Sequence, residues 1–467
     1  MSEALKFDAI VVGAGQAGPS LADRLAQAGK RVAFVERHLF GGTCVNTGCT
    51  PTKTMVASAY AAHVARRAQD YGVVLTNEVS IDMKRVIARR DEIVQRSRKG
   101  VEEWLRSNDK ITVFLGTAAF ESSHVVRAGE SRLTAPLIFL NVGGRATVPQ
   151  MQGINDPDPS NRVPFLTNTS LLALDVVPKH LIVVGGSYVG LEFGQMYRRF
   201  GSEVTIVERE PRLVSHEDED VSAAVEDILS REGIRIRTGA NCIALRPHAD
   251  GVSVCVSCNN GDEPSIGSHV LMATGRIPNT DDLGLENAGI SKDAKGYIQV
   301  DDKLATNVAG IFALGDCNGR GAFTHTAYND YEIVAENLLD GADRKVSDRI
   351  PCHAMFIDPP LARVGMTEAK VRASGRKALI ATRPMTKVSR AREKGESLGF
   401  MKVLVDANTE EILGASLLGV GCDEAIHSIL DVMYAKSQFT TIKHAVHIHP
   451  TVAELIPTLL GDLKPLA

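Results

Sequence analysis

The strongest constraint on this chain is a pattern that occurs twice. FDAIVVGAGQAGPSLADRLAQAGKRVAFVER, starting at Phe7, reads as a short apolar strand, a glycine turn, an amphipathic helix and a second strand. Gly13, Gly15 and Gly18 complete a G-x-G-x-x-G. The first glycine permits the tight turn, the second lets the backbone approach a pyrophosphate, and the third brings helix and strand together. Glu36 closes the second strand, where a carboxylate accepts hydrogen bonds from a ribose diol. HLIVVGGSYVGLEFGQMYRRFGSEVTIVER repeats the arrangement from His180, with Gly185, Ser187 and Gly190 in the glycine positions and Glu208 as the acid. First glycine and acid are 23 residues apart in both copies, and both copies end Val-Glu-Arg. Two such units in one α/β chain imply two dinucleotides and electron transfer between them. Ser187 makes the second copy the less regular one. Glu208 favours NADH, because a carboxylate repels a 2′-phosphate, while Arg209 and Arg212 keep NADPH open.

Between the two copies lies GGTCVNTGCTPTK (41–53), with Cys44 and Cys49 five positions apart. Metal binding, a structural staple and redox chemistry compete here. Structural zinc takes four Cys or His ligands, and only His38 is near in sequence. A disulfide closing so short a loop restricts the unfolded chain little. Eight cysteines in 467 residues is no disulfide scaffold. Redox activity explains more, since the pair directly follows a dinucleotide unit. On a regular helix, positions i and i+5 lie roughly 8 Å apart, whereas a disulfide needs Cα atoms within about 7 Å. The pair therefore requires a distorted or looped helix start, which Gly48 and Pro51 allow. A helix N-terminus also favours the reactive thiolate.

Two later stretches fit the same scheme. MATGRIPNT (272–280) is an apolar strand end followed by a Gly-Arg turn, and GIFALGDC (310–317) is a strand ending in Gly315-Asp316. With GGTCVNTGCTPTK, GGSYVGLE and the C-terminal HIHPTVAE, they stand in the order found in the FAD-dependent pyridine nucleotide–disulfide oxidoreductases. The chain resembles that family over nearly its whole length, and the cysteine motif is highly specific to it. The resemblance implies FAD held by Gly13, Gly15, Gly18, Glu36, Gly42, Thr43, Lys53 and Asp316. It implies NADH, or else NADPH, held by Gly185, Tyr188, Val189, Gly190, Glu208 and Gly275. Cys49 becomes the thiol nearest the flavin and Cys44 the thiol that meets substrate. Lys53 pairs with Glu192 beside the flavin, and Tyr188 is an aromatic lid over it. His449, held by Glu454, is the acid–base residue, supplied by the partner subunit of a homodimer. Imidazole suits that task near neutral pH, and a carboxylate orients the ring. No metal site is expected.

The implied layout places an FAD-binding domain at 1–150 and 275–348, an NAD(P)-binding domain at 151–274, and an α+β dimerisation domain at 349–467. Formal charge is −4, which offers no attraction to nucleic acid. No run approaches the ~18 apolar residues of a membrane span, and no signal-type stretch opens the chain. Cytoplasmic residence is therefore expected. Elsewhere, HEDED (216–220) reads as a solvated helix start. Cys255 and Cys258 read as structural, and Cys242, Cys317, Cys352 and Cys422 as isolated and inert.

The implied activity is passage of electrons from NAD(P)H through FAD to a Cys44–Cys49 disulfide, and on to a small disulfide, dithiol or thiol-bound metal. The cysteine motif and its flanks resemble mercuric reductases most. Those enzymes, however, carry a C-terminal cysteine pair, and the last cysteine here is Cys422. Dihydrolipoamide dehydrogenase is the alternative, supported by His-x-His-Pro-Thr and Glu208, although FTHTAYNDY (323–331) departs from that enzyme's usual segment. A reading of another class is a redox-sensing flavoprotein that regulates a partner.

Overall fold

A computed structural model describes residues 3–256 and 263–466. Cys258 lies outside the described residues. The first half of the repeat builds a five-stranded parallel sheet. Its order is Ile311–Ala313, Leu137–Leu140, Ala9–Val12, Val32–Glu36, Ile111–Leu115. Ala9–Val12 and Val32–Glu36 are buried along their whole length, as strands covered on both faces must be. The helix Gly18–Gln27 buries Leu21, Ala22, Leu25 and Ala26 against this sheet, the i, i+1, i+4, i+5 face of its sequence.

The second half of the repeat builds a smaller parallel sheet in the order Arg235–Arg237, Glu203–Val207, His180–Val184, His269–Met272. The chain passes between the two sheets at two places, and these pair with each other. Gly144–Ala146 and Arg276–Pro278 form a two-stranded antiparallel ribbon. Beyond residue 350 lies a six-stranded antiparallel sheet with strands Cys352–Met355, Leu361–Gly365, Ile412–Leu418, Phe400–Asp406, Ala378–Pro384 and Lys464–Pro465, in that order. Short helices cover it and share its apolar core. The fold is thus mixed α/β, as the alternation of strand and helix patterns implied.

Two expectations from the sequence differ from the structure. The acidic run at 216–220 is not a wholly solvated helix start. Glu217 and Asp218 are buried, 3% and 6% exposed. Their partners come from the C-terminal sheet: Arg363 Nη1 lies 2.9 Å from Glu217 Oε2, and Lys402 Nζ lies 3.0 Å from Asp218 Oδ2. Lys402 also meets Asp220 and Glu368. Carboxylates buried in this way require such pairing, and the cations stand more than 140 residues away in sequence. Cys242, read as isolated, is disulfide-bonded.

Candidate functional site

Both glycine loops have the same construction. Gly13 and Gly185 have φ of +103° and +123°, and a Cβ on either would lie 2.3 Å from a carbonyl oxygen of the neighbouring strand's end, Asn141 or Ala273. A Cβ on Gly18 would lie 2.1 Å from Gly13 O, and one on Gly190 2.0 Å from Gly185 O. These contacts leave room only for glycine and draw helix onto strand. The acids also match. Glu36 Oε2 accepts from Ala14 N–H at 2.8 Å and Oε1 from His38 N–H at 2.7 Å. Glu208 accepts from Gly186 N–H at 2.5 Å and from Glu210 N–H at 2.8 Å. Each acid thus buttresses its own glycine loop. Ser187, the departure from pattern, sits in extended backbone (φ −113°) as the N-cap of the helix Tyr188–Phe200. Any residue adopts that conformation, so serine replaces glycine there without backbone strain.

Asn141 is a residue that the motifs do not reveal. Its Oδ1 accepts from Gly18 N–H at 3.1 Å and its Nδ2 donates to Leu314 O at 3.0 Å. It thereby ties the first glycine loop to the strand end that leads into Asp316. A Cβ on Gly15 would meet the same Oδ1 at 2.7 Å. Asp316 stands in a turn, 3.6 Å from Arg276. Burial pushes its carboxyl above the ordinary value, and Arg276 opposes that. Gly42 comes close enough to Gly15 that a Cβ would sit 2.7 Å from its Cα. The glycine loop, buried acid and close backbone approaches fit an FAD cradle, and the second copy fits a nicotinamide dinucleotide.

The cysteine pair resolves the geometric problem posed by its spacing. One helix spans Gly42–Thr47, another Cys49–Arg66, and Gly48 breaks them. A Cβ at Gly48 would lie 2.9 Å from Thr43 O and 3.3 Å from Cys44 Cα. Glycine therefore lets the two turns close up, and each of Cys44 and Cys49 shifts the acidity of the other. Both are free thiols. Their acidities diverge. The hydrogen bond from Cys44 leads in lowering Cys49 to about 6. Burial opposes this, while Thr324, at 3.2 Å from the sulfur, and the Lys53 charge assist. The same hydrogen bond, with burial and the neighbouring charge, pushes Cys44 well above the ordinary thiol value. The thiolate therefore resides on Cys49, which opens the second helix, where the helix dipole also favours it.

Lys53 Nζ lies 2.5 Å from Glu192 Oε2 and 4.5 Å from the centre of the Phe356 ring. Glu192 is 7% exposed, and its second oxygen accepts from Phe356 N–H at 2.8 Å. The pair expected from the sequence is thus assembled across three separate segments. Cys44, Cys49, Lys53, Tyr188, Glu208 and Asp316 all line one continuous cleft of about 1530 Å³, together with Thr43, Val189 and Gly275. Cys352, expected to be isolated, lines this cleft too, with its thiol raised by burial.

His449 and Glu454 do meet. Nδ1 lies 2.9 Å from Oε2 and 3.1 Å from Oε1. They are not brought to the cysteines of the same chain, because neither lines the cleft. The His449 side chain is 73% exposed, and Val446 and Ile448 beside it are 100% and 80% exposed. Among the described residues no group of three or more His, Cys, Asp or Glu could hold a metal ion. No described helix is long and apolar enough to cross a membrane.

Comparison with known proteins agrees with this geometry. The chain matches the family profile "Pyridine nucleotide-disulphide oxidoreductase" over residues 7–330 and that family's dimerisation domain over 352–460. It is 34% identical to the probable pyridine nucleotide-disulfide oxidoreductase RclA of Escherichia coli, across 98% of this chain and 100% of that one. It is 30% identical to a mercuric reductase of Streptomyces lividans, across 99% and 98% of the two chains. It is 32% identical to a dihydrolipoyl dehydrogenase of Chlamydia muridarum, across 97% and 96%. The solved structure of the HOCl-induced flavoprotein disulfide reductase RclA from Escherichia coli superposes with a TM-score of 0.88, covering 97% of this chain and 99% of that one. Duplicated dinucleotide loops, a coupled cysteine pair and these matches make one conclusion: the chain belongs to the pyridine nucleotide–disulfide oxidoreductase family, FAD-dependent enzymes that exchange electrons between a nicotinamide dinucleotide and a redox disulfide.

Proposed function

We propose that the protein reduces a small disulfide, or a metal ion held by thiolates, at Cys44. The observation that carries this reading is a cysteine pair, brought together at the Gly48 break, that lines the same cleft as the Lys53–Glu192 ion pair. Cys49 is lowered to about 6 on the Lys53 side, and Cys44 is raised. When bound, the two nucleotides supply hydride and electron-pair transfer. Residues 1–150 and 275–348 would hold FAD, 151–274 the nicotinamide nucleotide, and 349–467 would form the homodimer. Glu36, Gly42, Thr43 and Asp316 orient FAD. Glu192 neutralises and positions Lys53. Cys49 keeps its thiolate toward the flavin position, and Cys44 gives its proton to His449 of the partner subunit as its sulfur attacks one sulfur of the substrate disulfide. The second substrate sulfur leaves as a thiol, with its proton supplied by His449 of the partner subunit, oriented by Glu454 there. Attack of Cys49 on the mixed disulfide then frees the second thiol and restores the Cys44–Cys49 bond. One NAD(P)H and one proton thus convert one disulfide to two thiols.

Substrate identity follows from a panel rather than from Cys44 itself. The relative RclA is described as a flavoprotein disulfide reductase and forms a Cu(II) complex. The panel therefore contains lipoamide, glutathione disulfide, other small disulfides, Hg(II) and Cu(II), each with NADH and NADPH. At least one disulfide should be turned over by the wild type, and Cys44→Ala should lose that turnover by about 100-fold or more. Full-rate disulfide reduction by Cys44→Ala would remove Cys44 from the role.

A further inference from the structure

Tyr188 opens the helix after the second glycine loop and lines the cleft. Its hydroxyl donates to Glu217 Oε1 at 2.9 Å and lies 2.7 Å from His353 Nε2. His353 Nε2 is itself 2.8 Å from the same carboxylate oxygen. Three polar atoms thus form a closed triangle. Burial pushes the Glu217 carboxyl up, but hydrogen bonding from His353 and the Arg363 charge outweigh it and hold the group at about 2. An ionised carboxylate only accepts. Tyr188 and His353 must therefore both donate to it, which fixes the His353 proton on Nε2 and leaves the Tyr188 oxygen to accept from His353.

The triangle has a rigid backing. His353 and Arg363 are register partners on adjacent antiparallel strands, so Glu217 receives one from each strand, at Oε1 and Oε2. Phe323 stacks on His353 (centroids 5.6 Å apart, 7° between planes), and His325 stacks on Phe323 (5.3 Å, 10°). His325 Nε2 is anchored 2.9 Å from Cys352 O. The tyrosine is therefore tied to the C-terminal sheet and to the 323–325 segment, not merely to its own helix.

We propose that His353 and Glu217 are positioning residues that latch Tyr188 in the cleft and thereby set the apparent affinity for the nicotinamide dinucleotide. This inference rests on the proposed function and on Tyr188 as the aromatic lid that the family resemblance implies, a lid that moves aside when nicotinamide binds. Displacement breaks both bonds to the hydroxyl. The intrinsic Kd is divided by the fraction of molecules with the ring released, so a weaker latch means tighter apparent binding.

The test titrates NAD⁺ and NADP⁺ into oxidised holoenzyme by calorimetry, for wild type, Tyr188→Phe, His353→Phe and the double variant. Tyr188→Phe keeps the ring and removes only the hydroxyl, so its Kd for the better-bound dinucleotide should fall about tenfold. His353→Phe keeps the stack on Phe323 and should lower Kd about fivefold. The double variant should match Tyr188→Phe, because the one hydroxyl bond that His353→Phe removes is among the two that Tyr188→Phe already removes. A role in folding alone would move thermal stability without moving Kd. Unchanged or weaker binding by Tyr188→Phe, or additive effects in the double variant, overturns the latch. If His353→Phe does not fold, Tyr188→Phe alone decides. Anaerobic mixing with NADH and NADPH separates the two readings. Failure of both to reduce the wild-type flavin overturns the proposed function and the latch with it, whereas normal reduction with invariant Kd overturns the latch alone.

Discussion

At the residue scale, the chemistry is a division of labour between two sulfurs. Cys44 contributes most to the acidity of Cys49 by donating a hydrogen bond, ahead of Thr324 and Lys53. In the two-electron-reduced enzyme, the thiolate is present above its pKa and protonated below it. The thiolate's long-wavelength absorbance should therefore rise with pH through a midpoint near 6 and fall away below it. Cys44→Ala should move that midpoint upward, and Cys44→Ser, which keeps a donor, should move it less; a pH titration of each reduced variant checks this. A midpoint unmoved by Cys44→Ala would contradict the geometry. The cysteines, Lys53 and Glu192 were legible because they stand inside compact motifs. Thr324 and Asn141 were not, because each acts across the fold, 275 residues from Cys49 and 123 from Gly18.

At the scale of elements, strand–turn–helix units could be read directly. A glycine whose Cβ would strike a carbonyl at about 2 Å is a local demand, and local demands are written in sequence. Pairing between distant elements is not. The charged run at 216–220 looked solvated because its cations, Arg363 and Lys402, arrive on strands of another sheet. Lys402 has a side chain only 1% exposed, with carboxylates of Asp218, Asp220 and Glu368 around it. Removing one partner of a buried pair typically costs about 3–5 kcal/mol. Lys402→Met should lower the thermal midpoint by more than about 5 °C, with flavin content at 25 °C retained; calorimetry of the holoenzyme reads it. An unchanged midpoint would mean that the cluster contributes no net stability.

At the scale of the whole molecule, the cleft of one chain lacks the His449–Glu454 pair proposed as its acid–base group. His449 and Glu454 form their pair on an exposed surface flanked by Val446 and Ile448, within the family's dimerisation domain. A bare apolar rim of this kind is expected at a contact. Ile448→Glu should shift the protein toward monomer in light scattering. It should keep nicotinamide-driven reduction of an artificial dye and lose disulfide turnover. Mixing Cys44→Ala with His449→Ala subunits should restore part of the turnover each homodimer lacks, since one active site of the hybrid is intact. No recovery in verified hybrids would place the proton donor within one chain. The two parallel sheets, each with its glycine loop, were legible from the repeat. The separation of His449 from the cysteines of its own chain was expected from the family resemblance alone, and no local pattern in the sequence carries it.

Electron flow from nicotinamide through flavin to Cys49 is tested most directly by anaerobic titration of the purified holoenzyme with NADH and with NADPH. A long-wavelength band from the Cys49 thiolate against the flavin should grow as the first equivalent is added, and Cys49→Ser should abolish it. Bleaching of the wild-type flavin with no such band would contradict a redox role for the Cys44–Cys49 pair.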